Sequence, residues 1–93
     1  MIEQDKRKLI EIVFKYLPKA RIFLYGSRAR NDHTPESDID IAIDNKSKID
    51  KIMLSTIKED VDESTIPFFV DIVDFAEVSD DLRNQILKDG ILW

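Results

Sequence analysis

The sequence predicts an α+β domain, a small mixed β-sheet flanked by helices. Three observations lead there. The first segment carries apolar residues at helical spacing. Three short runs rich in Ile, Val and Phe follow, each bounded by turn residues. Two further stretches with helix-capping signals lie before and after the last of these runs. The order is helix, strand, strand, helix, strand, helix, and 93 residues suit one domain over 1–93.

Residues 3–17 form the first predicted helix, with Leu9, Ile10, Val13, Phe14 and Leu17 on one face and Pro18 as its stop. Arg21–Tyr25 reads as a buried strand that ends at Gly26-Ser27. Arg28-Ala29-Arg30 could open a short helix, and 31–36 is a loop. Residues 38–44 alternate strictly, with Ile39, Ile41 and Ile43 on one face and Asp38, Asp40, Ala42 and Asp44 on the other. The short loop before this strand favours antiparallel pairing with the preceding one. Ser47 and Asp50 suggest a capping box for a helix over 48–61. A third strand is expected over 68–75. Ser79 caps a last helix, and Gly90 stands where a C-terminal glycine would.

Composition narrows the function. The net charge is −5, from 19 acids against 14 bases, which argues against a domain that grips a nucleic-acid backbone. There is no cysteine, which excludes a disulfide framework and a thiolate zinc site and suits a cytoplasmic protein. No apolar run approaches the ~20 residues needed to span a bilayer, and the N-terminus lacks the pattern of a signal peptide. Nothing in the composition bears on oligomeric state, and a homo-oligomer is compatible with it.

The acids are clustered. Asp38 and Asp40 are two apart in a strand and so share a face. A third carboxylate, Asp71, can join them if the third strand lies beside the second. Three carboxylates together with phosphate oxygens suit Mg²⁺. A bare D-I-D-I strand is more often simply half-exposed with solvated acids, yet Asp is disfavoured in strands and needs water or a cation there. Gly26-Ser27, between a strand and a short helix, can turn backbone N–H groups toward an anion, although alone it reads as an ordinary turn. The combination is more specific. A phosphate cradle eleven residues before a carboxylate pair is what nucleoside-triphosphate chemistry requires.

GSRAR, a short loop, SDIDIAI and then VDIVDF resemble the minimal nucleotidyltransferases (MNT domains) of the DNA polymerase beta superfamily. The similarity runs through essentially the whole chain. It implies a nucleotidyltransferase core in which Gly26 and Ser27 contact the triphosphate of ATP. It also implies that Asp38 and Asp40 bind two Mg²⁺ ions, and that Asp71 shares the catalytic ion and helps activate an acceptor hydroxyl. The implied reaction transfers AMP and releases pyrophosphate. The implied partner is a HEPN-domain toxin carrying an acceptor tyrosine, with this chain as the antitoxin. One departure is Asn31, where the family often has glycine. Asn tolerates left-handed backbone angles.

Arg28 and Arg30 are candidates for balancing triphosphate charge, the alternative being ion pairs with Asp32 or Glu36. His33 reads as solvent-exposed, Asp44 as a strand-end acid and Asp74 as a surface or turn residue. The terminal Ile91-Leu92-Trp93 is either a packing tail or an apolar patch for a partner. Two other functions stay open: a binding module that neutralises its partner by contact, and a transferase acting on a small molecule or an RNA end.

Overall fold

The computed structural model describes residues 3–93; Met1 and Ile2 lie outside the described residues. Helix α1 spans Glu3–Tyr16, strand β1 Arg21–Tyr25, the one-turn helix α2 Ser27–Arg30 and strand β2 Ile39–Asp44. Helix α3 spans Lys51–Asp62, strand β3 Val70–Asp74, helix α4 Asp80–Asp89 and strand β4 Ile91–Leu92. The sheet order is β3-β2-β1-β4. The β1–β2 pair is antiparallel, as its short loop requires, while β2 and β3 run parallel across the α3 crossover. The sheet is therefore mixed.

One face of the sheet holds the main core. Ile22, Leu24, Ile39, Ile41, Ile43, Val70 and Ile72 meet Leu9 and Val13 of α1 and Ile57 and Val61 of α3. The Tyr16 hydroxyl donates to Asp60, tying the two helices together. The opposite face carries a smaller cluster of Phe23, Tyr25, Ala42 and Ile86, with Leu82 and Phe75 against it. The face of β2 expected to be polar is thus covered by α4 over Ala42, and its acids lie at the two ends of the strand.

Several boundaries differ from the sequence expectation. Helix α3 starts at Lys51, and its N-cap is Asp50, which accepts from the N–H groups of Ile52 (3.1 Å) and Met53 (3.2 Å). Ser47 is not the cap. The N–H of Ile49 is held by Asp74 at 2.8 Å, which keeps the chain against the sheet until residue 50. Asp74 itself is not a surface residue. It is buried and also accepts from the Ala76 N–H at 3.0 Å. Ser79 caps α4 as expected, accepting from Leu82. Gly90 ends α4 in an extended conformation (φ −68°), not a left-handed one. Its lack of a side chain matters for a different reason: a Cβ would stand 2.3 Å from the Ile86 carbonyl oxygen. Beyond it, Ile91 and Leu92 form a fourth strand on β1. Trp93 is half-buried against the core, with Lys6 over its ring at 5.7 Å, while Ile91 and Leu92 stay 46% and 54% exposed, so the tail combines a packed ring with an open apolar surface. Among the described residues, no helix is long and apolar enough to cross a membrane.

Candidate active site

The end of the sheet where β1 finishes and β2 and β3 begin gathers the carboxylates. In register, Tyr25 of β1 faces Asp40 of β2, and Asp40 faces Asp71 of β3. Opposed residues project from the same face, so these three side chains form one row. Asp38 lies one residue before β2, exposed, on the same alternation as Asp40.

Gly26 follows Tyr25 with φ 76° and ψ −155°, a region essentially closed to residues with a Cβ. The reason is visible across the strand. A Cβ at position 26 would come within 2.6 Å of Asp40 Oδ2. Glycine therefore lets the turn close directly over the carboxylate. Its carbonyl accepts the N–H groups of Ala29 and Arg30, both at 3.1 Å, so α2 starts at once. No side chain caps the N–H groups of the first turn of α2. Asn31 ends α2 at φ 62°, ψ 30°, its N–H bonded to the Ser27 carbonyl. Asparagine does what the family's glycine would do there.

Arg28 takes a different place from the one its sequence suggests. It is 6% exposed. Its Nε and Nη2 donate to the Ser37 carbonyl at 3.1 and 2.8 Å, and its guanidinium lies 4.7 Å above the Phe68 ring. Its guanidinium is engaged by loop carbonyls rather than by Asp32 or Glu36. It braces the loop that delivers Asp38. The ion pair belongs to Arg30, whose Nε meets Asp32 Oδ2 at 3.3 Å. Arg30 is exposed, and its charge reaches Asp40. Asp44, at the far end of β2, is bound by Arg21 at 2.6 Å and stands apart from the other acids.

The carboxylates feel one another. Burial raises the Asp40 pKa, and Asp71 and Asp38 raise it further, with Arg30 offsetting part of this. Tyr25 was not singled out by sequence. Burial, then Asp71 and Asp40, push its hydroxyl up to about 12. The strand alternation that placed Asp40 could have found it, because Tyr25 ends the neighbouring strand. Among the described residues, no three acidic or imidazole groups close into a ready-made metal cage. Mg²⁺ takes one or two carboxylates and completes its shell with phosphate oxygens and water. The all-oxygen donor set and the crowded negative charge at Asp40 fit such an ion.

The chain matches the family Polymerase beta, Nucleotidyltransferase over residues 7–93. It belongs to that family of nucleotidyltransferases. It is 30% identical over 88 residues to the probable protein adenylyltransferase MntA of Haemophilus influenzae, covering 94% of this chain and 77% of the relative. It is 32% identical over 93 residues to the putative protein adenylyltransferase MJ0435 of Methanocaldococcus jannaschii, covering 97% of this chain and 95% of the relative. Among solved structures it is similar to a toxin–antitoxin with AMP-PNP (TM-score 0.79, 29% identity, 95% of this chain and 72% of that one). It is also similar to a chain of the complex between the tri-AMPylated Shewanella oneidensis HEPN toxin and its MNT antitoxin. There the TM-score is 0.76 and the identity 27%, covering 100% of this chain and 72% of that one.

Proposed function

We propose that this protein is a Mg²⁺-dependent adenylyltransferase that moves AMP from ATP to a hydroxyl of a HEPN-type toxin, a tyrosine by preference, and so acts as its antitoxin. The observation that carries this reading is the register pair Asp40–Asp71 lying under the Gly26 turn. Phosphate-binding backbone and metal-binding carboxylates are then neighbours.

In this reading the Ser27 hydroxyl and the N–H groups at the start of α2 hold the outer phosphates. Asp38, Asp40 and Asp71 would hold Mg²⁺, two ions in this reading, and the metal when bound would supply charge neutralisation at the phosphates and a lowered pKa for the attacking hydroxyl. Asp71 stands at the outer side of the row and orients the acceptor. The acceptor oxygen attacks the α-phosphorus, its proton passes toward Asp71, and the bond to pyrophosphate breaks. Arg30, exposed beside Asp40, offers a charge for the triphosphate; Arg28 contributes by fixing the loop before Asp38. A reaction that consumes ATP belongs in the cytoplasm, where that pool lies.

The test is mass spectrometry of the co-expressed HEPN-type partner after incubation with this protein, ATP and Mg²⁺. Added AMP units that vanish with Asp40→Asn support the reading. A tight complex with no added mass, and full neutralisation by Asp40→Asn, would establish neutralisation by contact instead.

A further inference from the structure

The row of candidate acids is asymmetric. The glycine turn lies on its β1 side, while its β3 side is a free edge of the sheet. On that edge stands Phe69, 65% exposed. Its backbone already belongs to the ladder, because its carbonyl accepts the Ile39 N–H at 2.9 Å. Strand alternation then puts Phe69 on the same face as Asp71, two residues on, and beside Asp38, which precedes Ile39. Its neighbour Phe68 turns the other way, packing against the core and under Arg28. The pair therefore divides, one ring serving the fold and the other projecting beside the carboxylates. Nothing in the core needs the second ring.

Resting on the reading above, we propose that Phe69 is the acceptor-binding residue: its ring receives the partner segment that carries the acceptor hydroxyl. Two features favour the acceptor over the nucleotide. The phosphate-binding turn is on the opposite side of the acids, with Asp40 between. Asp71, the carboxylate nearest Phe69 along the chain, is also the one placed to take the acceptor's proton. An aromatic acceptor fits an exposed ring well, since paired aromatics gain energy beyond their buried area. The flanking surface keeps this contact open, since Pro67 is also exposed.

The experiment is steady-state AMP transfer to the cognate HEPN-type partner by wild type, Phe69→Ala and Phe69→Tyr, with AMP-PNP affinity measured alongside in Mg²⁺. Phe69→Ala is expected to raise KM for the partner ~10-fold, with kcat and AMP-PNP affinity within about twofold, the pattern of a lost ground-state contact. Phe69→Tyr is expected to restore KM. Because Phe69 is exposed, the variants fold, and unchanged unfolding curves verify this. A partner KM unaltered in Phe69→Ala overturns the assignment. So does a loss confined to AMP-PNP affinity, which would give the ring to the base instead. Absence of transfer by the wild-type protein would instead sink the adenylyltransferase reading, and this inference with it.

Discussion

Gly26 closes over Asp40, and the space between them has no room for a methyl group: a Cβ at 26 would lie 2.6 Å from Oδ2. The turn and the carboxylate are thus one unit, set by the pairing of Tyr25 with Asp40. Gly26→Ala strains the backbone at φ 76° and displaces Asp40 together. The expected outcome is a loss of about 1–3 kcal/mol in urea unfolding and at least ~100-fold in AMP transfer. Retention of near-normal transfer would show that the turn does not position the acid.

Asp40→Asn removes a charge but keeps the shape. Burial, Asp71 and Asp38 raise the Asp40 pKa, so its ionisation costs folding free energy once pH rises through that raised value. The variant is therefore expected to melt slightly higher than wild type at pH 7 without metal, with the gain fading below the ordinary carboxylate range. Transfer should fall by at least ~1,000-fold. Differential scanning fluorimetry with EDTA, repeated with Mg²⁺ and AMP-PNP, reads both effects: added ligand should stabilise wild type more than the variant.

Asp44 shows the opposite sign. Burial would raise its pKa, but the Arg21 hydrogen bonds and charge and the Lys46 N–H outweigh this and lower it. Its contribution is present at neutral pH and is lost as pH falls through the lowered value. Arg21 is half-exposed, so Arg21→Ala should cost less than about 1 kcal/mol at pH 7. Chemical denaturation at pH 7 and in strong acid should show that difference shrinking to nothing.

Asp74 is expected to behave as a structural acid. It satisfies two backbone N–H groups, from Ile49 and Ala76, in a buried position. Asp74→Ala should cost about 2–4 kcal/mol and leave transfer per folded molecule unchanged. A variant with wild-type stability would show that those N–H groups find other partners.

Asn31 offers a milder test. At φ 62°, Asn31→Gly should be neutral within about 0.5 kcal/mol, while Asn31→Ala should lose ~1 kcal/mol. Equal stability of the two would remove the left-handed constraint as the reason for asparagine.

The parts of the fold legible in the sequence were those set by local pattern. Alternation in 38–44 and helical spacing in 3–17 marked β2 and α1, and the short loop between β1 and β2 pointed to the antiparallel sense of that pair. The parts that were not legible depend on partners far away in sequence. Asp74 looked like a surface residue because its partner, the Ile49 N–H, is 25 residues earlier. Ser47 looked like a cap because nothing local reveals that the same bond delays α3 to Lys51. Arg28 could be read either as a phosphate contact or as an ion-pair partner because arginine suits both, and only the fold brings the Ser37 carbonyl to it. Strand β4 is two residues long and carries no period at all. Asp71 could be grouped with Asp40 only on the condition that β3 lies beside β2, and Tyr25 joins them through the pairing of β1 with β2.

The outermost strand carries a consequence for how the protein is made. The Trp93 N–H bonds the Ile22 carbonyl at 2.9 Å, and its ring lies beneath Lys6 of the first helix. Residues far apart in the sequence, Lys6 and Trp93, thus meet beside β1. During vectorial synthesis β1 emerges early and must wait, one edge bare, until residues 91–93 are free of the ribosome. Any slowing of the ribosome before residue 93 would therefore prolong the time for which β1 stands with an unpaired edge.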